Sequence, residues 1–165
     1  MMHALTVDEH LLETAKARAV AEREMTVSAE QLYATLEDGP AWSKWTGVIR
    51  EVTWTSPKPF AIGTTRTLKL AGGVTLDEVF WAWEPNRRMG FSVTAASIGW
   101  LSGLTEVYEI TPLSSERCKL RWVVAALFPG MLGKIEPAIG RTFQINQRRL
   151  IRNLDRVARE RSKHA

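Results

Sequence analysis

Histidine is scarce in this chain and badly placed for catalysis. There are three, His3, His10 and His164, all close to one end or the other of the 165 residues. This argues against a Ser–His or Cys–His nucleophilic system in the core, and against a histidine-built zinc centre. Cysteine is scarcer still. Cys118 stands alone, so no internal disulfide can form and nothing points to an oxidising compartment. No apolar run approaches a membrane span. The opening stretch MMHALTVDEHLLETAKARA bears acids and lacks the apolar centre of a secretory signal. The expectation is therefore a cytoplasmic protein without integral membrane association. No phosphate-loop or dinucleotide fingerprint is present, since Gly72-Gly73 reads as a tight turn. Neither a cofactor nor a metal is expected.

What is present is an ordinary globular composition, 45% hydrophobic and 24% charged, with a net charge of +4. That charge is unevenly spread. From Lys134 onward there are nine Lys/Arg against three Asp/Glu, whereas the preceding residues hold thirteen against fifteen. The basic character belongs to the C-terminal segment.

Periodicity and punctuation place the elements. Ala17 to Val27 suits a strand. Ser28 with Gln31 has the spacing of a capping box and opens a helix from Ala29 to about Glu37. Gly39-Pro40 ends it, and Ala41 to Thr46 fits one further helical turn, closed by Gly47. Six strand candidates follow: Ile49–Ser56, Gly63–Leu70, Val74–Glu84, Arg88–Ala95, Leu104–Thr111 and Lys119–Leu127. Their short spacing predicts consecutive antiparallel pairing. Pro137 then suits a first helical turn, and the pattern to about Arg161 is strongly amphipathic. Ile135, Ile139, Phe143, Leu150, Leu154 and Val157 share one arc. The opposite arc is nearly all arginine, from Arg141 through Arg148, Arg149 and Arg152 to Arg156 and Arg159. Asn146 and Gln147 interrupt the apolar arc, and Ile145 sits among the arginines.

A single long helix cannot bury its apolar stripe alone, so the sheet must curve around it. The expected fold is α+β, a helix-grip arrangement. In it, a curved antiparallel sheet of about seven strands wraps a long C-terminal helix, with two short helices after the first strand. Residues 1–16 read as an N-terminal extension and 17–165 as one domain.

Several stretches resemble the START-like (SRPBCC, helix-grip) superfamily, and its polyketide cyclase/dehydrase-like group in particular. "MTVSAEQLYATLEDGPAWSKW" is similar to the first strand, helix and tryptophan-bearing turn. "FAIGTTRTLKLAGG", "FWAWEPNRRMGFSV" and "YEITPLSSERCKLRW" resemble the hairpins that follow. The resemblance covers Ala17 to about Arg161. It implies a cavity between sheet and helix sized for a hydrophobic small molecule, lipid- or polyketide-like. A fold-level likeness does not name the ligand.

Alternation sorts the candidate site residues. Glu106 and Tyr108 share a face with Leu104 and Ile110, Trp122 with Leu120 and Val124, and Arg66 with Leu68 and Leu70. If these rows face inward, Glu106, Tyr108 and Arg66 form a candidate acid/base group for cyclisation or dehydration. The plainer alternative is a structural Arg66–Glu106 pair, or a glutamate at the rim. Phe80-Trp81-Ala82-Trp83 breaks alternation and leaves both faces apolar. Glu78 is in phase with Phe80, while Trp81 and Trp83 form the other row, and which row faces the ligand stays open. The second face needs a cover, from the N-terminal segment or from another subunit in a homodimer. On the long helix Phe143 and Gln147 are ligand candidates, with Asn146 beside them. Both amides can instead bond to the sheet or meet solvent. Of the two tryptophans in DGPAWSKWTG, Trp42 is expected to seal the core and Trp45 to touch a ligand.

Two functional readings follow, a binding or transport protein for a hydrophobic small molecule and a cyclase/dehydratase-type enzyme. The arginine stripe raises a third, an interaction module. No nucleic-acid partner is expected, because no recognised module accompanies the stripe.

Overall fold

The computed structural model describes residues 1–163. His164, and the last two residues of the expected domain, lie outside that range. The chain runs β1 (His3–Ala4), α1 (Leu11–Thr14), β2 (Ala17–Met25), α2 (Ala29–Glu37), α3 (Gly39–Thr46) and β3 (Ile49–Trp54). It continues through β4 (Thr65–Leu70), β5 (Thr75–Glu84), β6 (Arg88–Ala96), β7 (Gly103–Pro112) and β8 (Cys118–Leu127). A 3₁₀ turn over Gly130–Ile135 then leads into α4 (Glu136–Ser162). The sheet order is β2-β8-β7-β6-β5-β4-β3, all neighbours antiparallel, with β1 added beside β6. This is the expected helix-grip arrangement.

Local chemistry explains the boundaries. Ser28 accepts from the Gln31 N–H at 3.2 Å, and the Gln31 side chain accepts from the Ser28 N–H at 3.0 Å, which completes the capping box. β2 ends at Met25, opposite Cys118, rather than at Val27, and the outward-pointing Thr26 N–H donates to Asp155 Oδ1 of α4 at 2.7 Å. Gly47 closes α3 at φ 72°, a left-handed conformation that a side chain resists. The chain then turns straight into β3.

The concave face is read from the register, since directly opposed residues project to the same side. One row crosses Phe80, Phe91, Glu106, Val124 and Ala19. The next crosses Trp83, Met89, Tyr108, Trp122 and Ala21. A third joins Trp54, Arg66 and Glu78. A bulge between Phe80 and Ala82 breaks the alternation of β5. It lets Phe80 and Trp83 both face inward and throws Trp81 onto the convex side. There Trp81 lies over Gly90, so closely that a Cβ on Gly90 would stand 2.6 Å from the ring. The broken pattern therefore splits a row that alternation alone would keep together.

The N-terminal segment covers part of the convex face. β1 pairs with Ala95–Ala96, and Leu5 and Leu11 are buried. α4 lies along the β2 edge and against α2 and α3. Of its expected arc Leu154 and Val157 are buried and Ile139, Phe143 and Leu150 partly buried, while Ile151, outside that arc, is buried beside them. Ile135 departs from it: it precedes the helix as N-cap and is half exposed. Among the described residues no helix is long and apolar enough to cross a membrane.

Candidate functional site

α3 sits over the concave face and inserts both of its tryptophans. Trp42 and Trp45 are 2% and 1% exposed, so neither is a lip residue. The Trp42 indole N–H donates to the Leu36 carbonyl at 2.8 Å, which locks the ring between α2 and the sheet. Trp45 meets Trp122 edge-on at 5.6 Å, and Trp122 stacks on Tyr108 at 5.3 Å. Phe91 and Phe80 extend this cluster toward β5. One end of the expected cavity is therefore filled with packed rings.

Arg66 is buried within that cluster. Its guanidinium carbon stands 4.2 Å from the Trp42 ring centre, 4.6 Å from Phe91 and 4.9 Å from Phe80. Its Nε donates to Glu78 Oε2 at 2.6 Å, and both terminal nitrogens are buried without a partner among the described residues. The expected Arg66–Glu106 pair is thus replaced by Arg66–Glu78. The reason is register: Arg66 is directly opposite Glu78 on β5, whereas Glu106 lies two strands further, beyond Phe91. Burial pushes the Glu78 carboxyl upward, against the opposing pull of Arg66.

Glu106 has a different setting. Its Oε2 accepts from the Tyr108 O–H and from the Trp122 indole N–H, both at 2.9 Å. A proton on this carboxyl therefore resides on Oε1, the oxygen left without a partner among the described residues. Desolvation, with the Glu78 charge second, pushes Glu106 up to about 7, and the two hydrogen bonds oppose the rise. Burial and the neighbouring Glu106 raise Tyr108, which stays a neutral donor. At neutral pH the site thus holds a carboxyl near half ionisation beside a phenol, a pairing suited to proton transfer.

Glu106 is half-buried, as is Leu104 on the same strand. Both belong to a central strand, so water reaches them from the concave side. The β6–β7 ladder stops at Ser92–Thr105, and beyond it β6 pairs with β1 instead. The chain around β1 fills the place between the two strands there, the Leu5 N–H donating to the Thr94 carbonyl at 2.9 Å and the Thr6 N–H to the Ser102 carbonyl at 2.8 Å. Ile139 and Phe143 of α4 are also half-buried and pack against the core. Leu104, Ile139 and Phe143 are thus apolar side chains left partly uncovered, and Glu106 is the ionisable group on the same strand as Leu104.

The remaining expected residues separate clearly. Gln147 is buried but bonds to the sheet, its Nε2 donating to the Trp122 carbonyl at 2.9 Å, while its Oε1 has no partner among the described residues. Asn146 is exposed. Trp83 faces inward against Tyr33, Trp54 and Phe60, on the side away from Leu104. Trp81 is on the opposite face of the sheet, under Arg88 at 5.2 Å. Sequence reasoning missed Trp42 as the ring over Arg66. Its spacing of three from Trp45 placed the pair on one side of a helix, but nothing in the spacing indicated which ring would meet the cation.

A family model described as "Polyketide cyclase / dehydrase and lipid transport" matches residues 16–159. An uncharacterized protein of Mycobacterium tuberculosis is 35% identical over 133 residues, which is 81% of this chain and 79% of that one. The aromatase/cyclase Zhui from Streptomyces sp. R1128 superposes with a TM-score of 0.68 at 14% identity, covering 88% of this chain and 94% of that one. A START superfamily protein from Mycobacterium smegmatis gives 0.59 at 14%, covering 80% and 96%. At such identities the two solved structures establish the fold and nothing finer.

Proposed function

The chain belongs to the polyketide cyclase/dehydrase and lipid transport family, and from that premise we propose that it binds a hydrophobic small molecule in the gap between β7 and the N-terminal half of α4. The observation that supports this reading is the half-buried state of Leu104 and Glu106 on a central strand, together with that of Ile139 and Phe143 on α4. The tryptophan cluster under α3 forms the closed end of that gap. The ligand sets a polar group against Glu106. Arg66 and Glu78 act in this reading as buried supports for the site. Native mass spectrometry of protein purified from its own host tests it. A retained small molecule whose occupancy falls in Phe143→Ala is the expected result. An empty wild-type protein that also leaves its tryptophan emission unchanged with apolar fluorescent probes would sink it.

A second reading rests on the carboxyl held near 7. Glu106, with the Tyr108 O–H beside it, acts as acid or base on a cyclising or dehydrating substrate. Glu106→Gln then abolishes turnover while the fold and ligand retention survive. Undiminished turnover in that variant rules the assignment out.

A further inference from the structure

β2 is an edge strand, and α4 covers its free side unevenly. Backbone groups of an edge strand point alternately toward the neighbouring strand and away from it. Val20 points away, because Gln144 takes both of its groups. The Gln144 Oε1 accepts from the Val20 N–H at 3.0 Å, and its Nε2 donates to the Val20 carbonyl at 2.5 Å. Arg18 points the same way and is covered by Gly140, where a Cβ would stand 3.0 Å from the Arg18 nitrogen. Further along, Asp155 receives the Thr26 N–H. Glu22 shares the outward direction but lies between these covered points, and its N–H and carbonyl have no partner among the described residues.

A groove of about 560 Å³ lies there, walled by Arg148 and Arg152 of α4 and by Arg23 of β2, with Ile151 at its base. Arg148 and Arg152 are exposed and make no salt bridge among the described residues. They are four apart on one helix, so their charges repel each other unless an anion lies between them. The nearby acids are already engaged. Glu22 turns its carboxylate to Lys119 at 2.7 Å on the convex side, and Asp155 is held by Thr26 and Arg23. The Arg23 Nε remains buried without a partner among the described residues.

We propose that the groove between β2 and α4 is an oxyanion site for a phosphate group, held by Arg148 and Arg152 against the free backbone N–H of Glu22. Two guanidinium forks plus an amide offer more donors than a carboxylate can accept, and they match the three terminal oxygens of a phosphate. The groove is larger than a lone phosphate, so the phosphate is borne by a bigger molecule. A soluble phosphorylated compound and a phospholipid headgroup share this chemistry. The site is separate from the concave gap and does not depend on what binds there.

Titration calorimetry of the full chain with pyrophosphate, and co-sedimentation with phosphatidylcholine vesicles with or without phosphatidic acid, test the proposal. Arg148→Gln/Arg152→Gln is expected to weaken binding on the order of 10- to 100-fold. Arg141→Gln/Arg159→Gln removes the same charge from the same helix outside the groove and is expected to leave binding nearly unchanged. Loss of pyrophosphate binding in the groove variant identifies a soluble ligand. Loss confined to phosphatidic acid vesicles identifies a headgroup. The proposal is overturned if wild type binds neither probe, if binding survives in the groove variant, or if both variants weaken equally.

Discussion

Replacing Glu106 with Gln should change how stability depends on pH, with a calculable sign. Glu106 is held at about 7 against 4.5 for an ordinary glutamate. Between those values the folded protein keeps a proton that the unfolded chain has released. Stability therefore falls as pH rises from 4.5 toward 7 and is level above it. At ~1.4 kcal/mol per pH unit, the displacement corresponds to about 3 kcal/mol lost by pH 8. Glutamine keeps the shape and an acceptor oxygen for the Tyr108 O–H and the Trp122 N–H, but it cannot ionise. Glu106→Gln should match wild type near pH 4 and exceed it by up to about 3 kcal/mol at pH 8, roughly 6–12 °C in Tm for a chain of this size. Glu78 is also raised by burial and tilts both curves the same way, so the difference between the two proteins is the quantity to read. Urea denaturation followed by tryptophan emission, at half-unit steps of pH, measures it. The Trp122 indole also reports directly, since it donates to the titrating oxygen. Stability curves that run parallel from pH 4.5 to 8 would refute the reasoning.

Arg66→Met strands Glu78 in an apolar cluster and should cost about 3–5 kcal/mol, while Arg66→Met/Glu78→Leu should recover most of it. Equal losses in chemical denaturation would show that Arg66 matters through its packing on Trp42 alone. Gly90→Ala drives a methyl into the Trp81 ring and should cost about 1–3 kcal/mol, relieved when Trp81→Ala is added. An unrelieved loss in thermal melts would place the strain elsewhere. Gly140→Ala should lift α4 from the β2 edge, so the Val20 amide, bonded to Gln144, should exchange faster with solvent deuterium. Unchanged exchange at Val20 would mean that the helix absorbs the methyl without moving.

Much of the molecule was legible because its signals are local. The Ser28–Gln31 capping box, the Gly39-Pro40 break, the strands at short spacing and the amphipathic repeat of α4 each depend on residues near one another in the chain. That Glu106 and Tyr108 share one face was legible for the same reason, since alternation along one strand sets it, but which face is the inner one was left open in the sequence. Alternation failed at Phe80-Trp81-Ala82-Trp83, where a bulge changes the face partway along. The sequence also left Gln147 open between ligand and sheet. Its Nε2 bonds to a backbone carbonyl on β8, and a backbone partner leaves no mark in the sequence pattern.

The sequence by itself determined the architecture: the order of elements, the antiparallel pairing, and the need for a curved sheet around one long helix. Those follow from periodicity, turn chemistry and the requirement to bury one apolar stripe. Only the tertiary structure decided which charges meet. Arg66 chooses Glu78 over Glu106 because cross-strand register sets the distance, and register is a relation between segments far apart in the chain. The same holds for the carboxyl near 7 and for the uncovered backbone at Glu22. Both arise from what packing leaves near a group, which no residue encodes alone.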